Sequence, residues 1–109
     1  SAETVKKKTE YLVKQMNWPL KSVASHPQVF SYSMEKRIVP RCNVIKALMS
    51  KGLLGKGSEL PSVSTVMSKT NQAFLNQYVM KHEKLFPELM AIFKGEQVSI
   101  DLKALLSEQ

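Results

Sequence analysis

The sequence contains one cysteine, Cys42, so an internal disulfide is excluded and nothing indicates an oxidising compartment. No apolar run approaches the roughly 20 residues that a membrane-spanning helix needs, and no secretory signal pattern stands at the amino terminus. Aromatic residues make up only 7% of the chain and form no dense cluster. These gaps exclude a disulfide-stapled scaffold and predict a domain that does not enter a membrane.

Residues arranged for catalysis or metal binding are missing as well. His26 and His82 have no metal-ligand spacing to each other or to Cys42, and no Ser-His-Asp or Cys-His pairing can be identified. His26 is expected to be a local capping group, His82 to face solvent, and Cys42 to be a buried structural thiol. We therefore predict a non-enzymatic protein with no metal, no cofactor and no small-molecule substrate.

The glycine-rich stretch 52–60 does not match a nucleotide-binding loop. A P-loop requires Gly-x-x-x-x-Gly-Lys-Ser/Thr after a strand, whereas Lys56 is followed by Gly57 and no strand is predicted before it. Gly52-Leu-Leu-Gly55 resembles a GXXG nucleic-acid clamp, but the strands of that module are missing. The stretch is predicted to be a helix stop and a flexible connector.

What remains is a basic chain of globular composition. Its 109 residues, 43% hydrophobic and 23% charged, suit one domain or a fragment of one. It begins Ser-Ala-Glu rather than with Met, so we expect a truncated or processed chain from which a targeting segment could have been removed. Residues 1–56 hold eleven of the sixteen Lys and Arg and three acids, for a net charge of +8, whereas residues 57–109 carry −1. The imbalance indicates either a polyanionic partner for the first half or a plain solubility surface.

Apolar periodicity and helix-end residues predict five or six helices and no strand. The first covers residues 2–17, and a short second helix starts at Pro19 and runs to about residue 25. Residues 27–32 form a tight connection. Proline-started segments at 19–25 and 61–68 lie about 42 residues apart and suggest an internal repeat. Later helices are expected at residues 61–67, after a cap at Thr70, from Pro87 to Gly95, and after Asp101.

The third helix, from a cap at Ser33 to Lys51, contains Pro40. A proline inside a helix costs ~3 kcal/mol because it removes a donor and clashes with the preceding turn, so a bent helix is expected. At about 100° per residue, Arg37 and Arg41 lie at the edge of the apolar arc. We expect both to be half-buried with their forks at a groove between helices. They would bind phosphate, or bridge to a carboxylate or to carbonyls at a neighbouring helix end.

The segment ASHPQVFSYSMEKRIVPRCNVIKALMSKGL, residues 24–53, resembles the repeat of the mitochondrial transcription termination factor (mTERF) family in its land-plant form. The segment AFLNQYVMKHEKLFPELMAIFKG, residues 73–95, is similar to the carboxy-terminal end of plant members. Together they extend the resemblance over about residues 5–95, and two or three repeats fit in this length. The residues that match recurrent positions of the repeat are Pro27, Phe30, Ser33, Lys36, Arg37, Ile38, Pro40, Arg41, Leu48 and Gly52.

The resemblance implies an all-α fold, a right-handed-type stack of helical repeats curved into a superhelix, each repeat holding two α-helices and a short 3₁₀ turn. Residues 1–95 would form this domain, and residues 96–109 a tail with a short helix. Members are nuclear-encoded and imported into mitochondria or chloroplasts. There they bind duplex DNA, and sometimes RNA, in a basic concave groove and affect transcription, termination or splicing.

We therefore predict a nucleic-acid-binding helical-repeat protein that regulates organellar gene expression through phosphate contacts, in the mitochondrion or, as the alternative, the chloroplast. Binding should weaken as salt rises, because counterion release supplies most of the affinity. The alternative is a scaffold whose Met- and Phe-containing second half docks a protein partner, and a small enzyme is a distant third. The predicted phosphate-contacting residues are Lys7, Lys14, Lys36, Arg37, Arg41, Lys46 and Lys51.

Overall fold

The structure is a computed structural model that describes residues 1–55 and 59–96. Every regular element within these ranges is helical, and neither range contains a strand. The predicted all-α class is therefore confirmed. The helix predicted after Asp101 lies outside the described residues, as does the middle of the glycine-rich connector.

Two helices open the chain. Helix α1, Ala2–Met16, begins at Ser1, whose hydroxyl accepts from the Thr4 amide, and ends at Asn17 in the left-handed conformation. Helix α2, Leu20–Ala24, begins directly after Pro19, which is its N-cap residue. Proline lacks an amide donor and clashes with a preceding helical turn, so α1 and α2 do not merge into one helix. Trp18, only 3% exposed, donates its indole N–H to the Pro61 carbonyl at 2.8 Å. Trp18 therefore links the turn after α1 to the segment around Pro61.

A 3₁₀ helix, Pro27–Ser31, forms the tight connection predicted after α2, and Val29 is buried beneath it. His26 precedes it, but its side chain caps nothing. Instead its backbone carbonyl accepts from the Val29 amide at 3.1 Å. The expectation of a capping imidazole was therefore wrong, since the backbone alone satisfies this turn.

The helix after Ser33 starts with a wide turn. Over Met34–Ile38 the backbone is a π-helix, in which the Ile38 amide donates to the Ser33 carbonyl at 3.0 Å. Helix α3, Val39–Ser50, continues from it with Pro40 in its first turn. Because the wide turn ends where the proline ring begins, the missing amide of Pro40 falls where helical bonding is already irregular.

Shorter helices form the second half of the described chain. Helix α4, Val63–Met67, is capped by the Ser62 hydroxyl rather than started at Pro61. Helix α5, Asn71–Leu75, has the predicted Thr70 cap and runs into a second π-helical turn, Asn76–Met80. A 3₁₀ helix, Glu83–Leu85, then leads into α6, Phe86–Phe93, with Pro87 in its first turn.

The turn at His26 recurs at His82. Each histidine amide donates to the carbonyl of a buried valine three residues earlier, at 3.0 and 3.1 Å, and each begins a 3₁₀ helix. The two histidine turns lie 56 positions apart, whereas the proline-started segments lie 42 positions apart. The histidine turns are farther apart because α5 and its π turn stand before the second one. His82 is half-buried, with Nε2 shut from solvent, so its expected solvent-facing position was wrong.

The core runs through all six helices. Helix α3 is central, because it packs against α4, α6 and the π turn at Asn76–Met80, whereas α1 packs against α2 and the first 3₁₀ helix. Phe74 is completely buried and stacks with Phe93 at 5.9 Å between ring centres. This arrangement places the two arginines of the third helix directly opposite the end of α4.

Candidate nucleic-acid interface

Arg41 on α3 is the largest side chain that is fully buried in the described residues, with no exposed surface. Its Nη1 donates to the carbonyls of Val66 and Met67 at 3.0 and 3.1 Å, and Nη2 donates to Asn71 Oδ1 at 3.0 Å. Those carbonyls end α4, where backbone acceptors lack partners within the helix. Arg41 therefore fastens α4 and α5 to α3. The predicted phosphate contact of Arg41 was wrong, and the alternative, a bridge to carbonyls at a neighbouring helix end, is what the structure shows.

Arg37 lies one turn before Arg41 and is half-buried, as expected. Its Nη1 donates to the Met67 carbonyl at 3.0 Å, and its guanidinium carbon lies 4.5 Å from the centre of the Tyr32 ring. The fork is thus partly committed to the end of α4 and held in place by the aromatic ring. A phosphate contact by its remaining nitrogens stays a prediction.

The two arginines have no carboxylate partner among the described residues. Burial, and then the charge of Arg37, lowers the pKa of Arg41 from its usual value to about 10, while Tyr32 opposes the shift. Arg41 stays protonated at neutral pH. Its charge is balanced by the carbonyl dipoles and by the Phe74 ring, 5.1 Å from the guanidinium carbon.

Lys8 has a similar structural role that the sequence reasoning missed. Only 8% of Lys8 is exposed, and its Nζ donates to the Phe30 carbonyl, near the end of the first 3₁₀ helix, at 2.8 Å. Lys8 shares its buried side of α1 with Leu12 and Met16, each four residues apart. That spacing was the available signal, since a lysine in phase with two core residues points inward.

Lys7 and Lys14 lie two turns apart on one side of α1, and Tyr11 stands between them, one turn from each. Tyr11 faces α3: its pKa rises to about 12, chiefly through burial and partly through the nearby Cys42 thiol. Lys46 follows Cys42 by one turn and acts electrostatically on that thiol. Lys7 and Lys14 thus share one side of α1, and Lys46 lies one turn beyond the thiol that acts on Tyr11. We call Lys7, Lys14 and Lys46 the lysine face.

The other predicted lysines lie apart from this group. Lys36 is exposed on the first π turn, and no ion pair holds it within the described chain. Lys51 Nζ lies 3.5 Å from Glu88 Oε1 on α6, so a carboxylate partly neutralises it. Lys6 and Lys21, which were not predicted, are also exposed. In the first half of the chain, the exposed cations are therefore lysines of α1, α2 and the third helix, and Lys81, Lys84 and Lys94 are exposed in the second half.

The family follows from the sequence that builds this arrangement. The sequence profile of the mTERF family matches residues 1–75, which include α1 through α5 with the lysine face and both arginines. The chain belongs to the mTERF family. This is a family of nucleic-acid-binding regulatory proteins with a helical-repeat fold.

One relative of this mTERF chain is a protein of Arabidopsis thaliana named transcription termination factor MTERF15, mitochondrial. The two are 35% identical over 96 residues, which cover 84% of this chain and 19% of the relative. The mTERF chain thus spans about a fifth of the length of the curated relative that it matches. No solved structure matches it.

Other kinds of site find little support in the mTERF chain. The Cys42 thiol is fully buried and its pKa rises to about 12, mainly through burial, so it has the inert structural role that was predicted. No group of three His, Cys, Asp or Glu residues could hold a metal ion in the part of the chain that the structure describes. None of the described helices has the length and apolar character required to cross a membrane.

Proposed function

We propose that this chain is the nucleic-acid-binding part of an organellar gene-expression factor and that the lysine face contacts the phosphate backbone of duplex DNA. The observation that carries the proposal is that Lys7 and Lys14 share one exposed side of α1, while Lys46 on α3 acts on the same Cys42 thiol that perturbs Tyr11 between them. Lys7 and Lys14 are exposed and Lys46 is half-buried, and none of the three has an ion pair among residues 1–55 and 59–96. Lysines so placed release counterions on binding a polyphosphate, which supplies affinity without reading sequence.

Several observations favour this proposal over a mere solubility surface. Lys8 and Arg41 are bonded internally and Lys51 is paired with Glu88, so they add little to a surface field. The positive field that remains comes from lysines of the first half, against three acids there. Family membership supports a nucleic-acid partner, and the relative's name supports a mitochondrial site of action, with the chloroplast as the alternative.

Fluorescence anisotropy with labelled duplex DNA and labelled single-stranded RNA, at several salt concentrations, tests the proposal. We expect log K for duplex DNA to fall linearly with log salt, and the triple variant Lys7→Gln, Lys14→Gln, Lys46→Gln to bind more weakly. Its salt slope should be shallower by roughly one for each phosphate that the variant no longer neutralises. RNA binding equal to DNA binding would indicate recognition of phosphate alone.

The matched control removes three lysines of the second half, Lys81→Gln, Lys84→Gln and Lys94→Gln. It lowers the net charge by the same amount but leaves the lysine face intact. Equal losses of affinity in both triple variants would show a diffuse charge effect and would contradict the proposed surface. The curved superhelix that would align this surface with further repeats in a longer protein is part of the same proposal.

A protein-docking scaffold is the second candidate, and one observation favours it. Met80 is 49% exposed at the end of the second π turn, and a shallow cavity of about 500 Å³ lies nearby, lined by Leu53, His82 and Leu85 among others. Exposed apolar surface of this kind is typical of protein contacts. A chain that ignores DNA and RNA at low salt would favour this candidate.

A further inference from the structure

The ring of Tyr11 packs against the hydrophobic core, which does not account for its hydroxyl. It is half-buried on α1, in contrast to Leu12, its fully buried neighbour. Its hydroxyl has no hydrogen-bond partner in the described chain. The Tyr11 hydroxyl is also not among the buried polar atoms without a hydrogen-bond partner, which are His26 Nε2, Arg41 Nε and His82 Nε2. The hydroxyl is therefore reachable by solvent and available to a ligand.

The position of Tyr11 is the centre of the lysine face. Lys7 precedes it by one helical turn and Lys14 follows it by one turn, so the three side chains share one side of α1. The Cys42 thiol acts electrostatically on Tyr11, and Lys46 follows Cys42 by one turn. A phosphate held by Lys7 and Lys14 would therefore lie beside the phenol.

At this position the Tyr11 phenol can act as an uncharged hydrogen-bond donor. Burial raises the pKa of Tyr11 to about 12, so the hydroxyl keeps its proton throughout the physiological range. A protonated phenol can donate to a phosphate oxygen without adding charge, and the half-buried ring loses little side-chain freedom when it does so. Lysines attract a polyphosphate from a distance, whereas a fixed hydroxyl positions it.

We propose that Tyr11 donates a hydrogen bond to a backbone phosphate oxygen at the centre of the lysine face. This assignment rests on the proposed function, because the phosphate is one that Lys7, Lys14 and Lys46 would hold. It adds a contact that does not depend on ionic strength. It also predicts an orientation, with the phosphate lying on the side of α1 that Lys7, Tyr11 and Lys14 share.

The test compares Tyr11→Phe with the unaltered chain in the same anisotropy titrations, and Tyr78→Phe is the matched control. Tyr78 is a buried residue of the second half of the chain. Like Tyr11→Phe, this control removes one hydroxyl. We expect Tyr11→Phe to weaken binding of duplex DNA and of single-stranded RNA by about ten- to hundredfold, the loss of one hydrogen bond to a charged acceptor. The salt slope should stay unchanged, because no counterion is involved.

The outcomes separate the inference from the function beneath it. If the unaltered chain binds but Tyr11→Phe binds within twofold of it, or if the salt slope falls as in the lysine variant, the role of Tyr11 is refuted and the lysine face stands. A loss seen with RNA alone would assign the hydroxyl to ribose and overturn the phosphate contact. No binding by the unaltered chain overturns both. Thermal unfolding of Tyr11→Phe, expected at an unchanged midpoint, shows that a weaker complex is not a folding defect.

Discussion

At the scale of single residues, the cations of this chain divide into two groups by what they touch. Lys8, Arg37 and Arg41 each donate to a carbonyl at or near the end of a helical segment, where the backbone dipole is negative and acceptors lack partners. The exposed lysines touch no described carboxylate except at Lys51. The cations bonded to carbonyls therefore hold helices together, and the exposed lysines face outward.

Arg41 should be among the most sensitive positions of the chain. We expect Arg41→Ala to lower the free energy of unfolding by about 3 kcal/mol. The change removes hydrogen bonds to a charged group and leaves the Val66 carbonyl without its donor, whereas the Met67 carbonyl keeps its bond from Arg37. Urea denaturation followed by circular dichroism measures it. The control Lys36→Ala, at an exposed position, should change the stability by no more than about 0.5 kcal/mol. Equal stability of both variants would show that Arg41 does not fasten α4.

At the scale of elements, hydroxyl caps determine where the short helices begin. Ser33, Ser62 and Thr70 each accept from the amide three residues later, at 3.1 Å in every case. Helices of about five residues have little stability of their own, so these caps and the packing on α3 hold them. The Thr70 cap matters for the site as well, because Asn71 in the first turn of α5 accepts from Arg41.

Replacing the cap of α5 should therefore weaken the fold. We expect Thr70→Ala to lower the free energy of unfolding by about 1 kcal/mol, since the Ala73 amide loses its acceptor. Ser22→Ala, at an exposed position inside α2, is the control and should change stability by a few tenths of a kcal/mol at most. Chemical denaturation midpoints of the three chains give the comparison. A Thr70→Ala midpoint equal to that of the control would mean that packing alone holds α5.

At the scale of the whole molecule, the distribution of surface charge depends on which cations are already bonded to other groups of the protein. The sequence counts +8 in residues 1–56, but three of those cations bond to internal carbonyls and a fourth pairs with Glu88. Two acids also lie beside the lysine face. Glu3 precedes Lys7 and Glu10 precedes Lys14 by one turn, a spacing at which weak pairing competes with phosphate.

Removing one of these acids should strengthen the proposed binding. We expect Glu10→Gln to raise affinity for duplex DNA about two- to threefold at low salt, because a negative charge one turn from Lys14 is removed and the local potential rises. The gain should disappear at high salt, where exposed charges are screened. Glu83→Gln, an acid of the second half, is the control for net charge. A gain of equal size in both variants would locate the effect in total charge rather than at the lysine face.

Much of the fold could be predicted from local patterns. The ends of α1, the tight turn after Pro27 and the Thr70 cap are confirmed, because each depends on residues within one or two turns. The cap at Ser62 and the π turns were not foreseen. A π turn depends on how the preceding segment meets its neighbours, and no local pattern distinguishes it from an α-helical turn.

The features of the candidate site also divide into those that local sequence patterns predict and those that depend on neighbouring segments. Sequence by itself determined the helical class, the excess of lysine in the first half and the motif that places Arg37 and Arg41 one turn apart. Only the tertiary structure decided that Arg41 bonds to the end of α4, that Lys8 points inward, and that Tyr11 is half-buried against the core. The reason is physical: a charge is a property of its residue, but the acceptor it finds depends on which helix end the fold brings within about 3 Å.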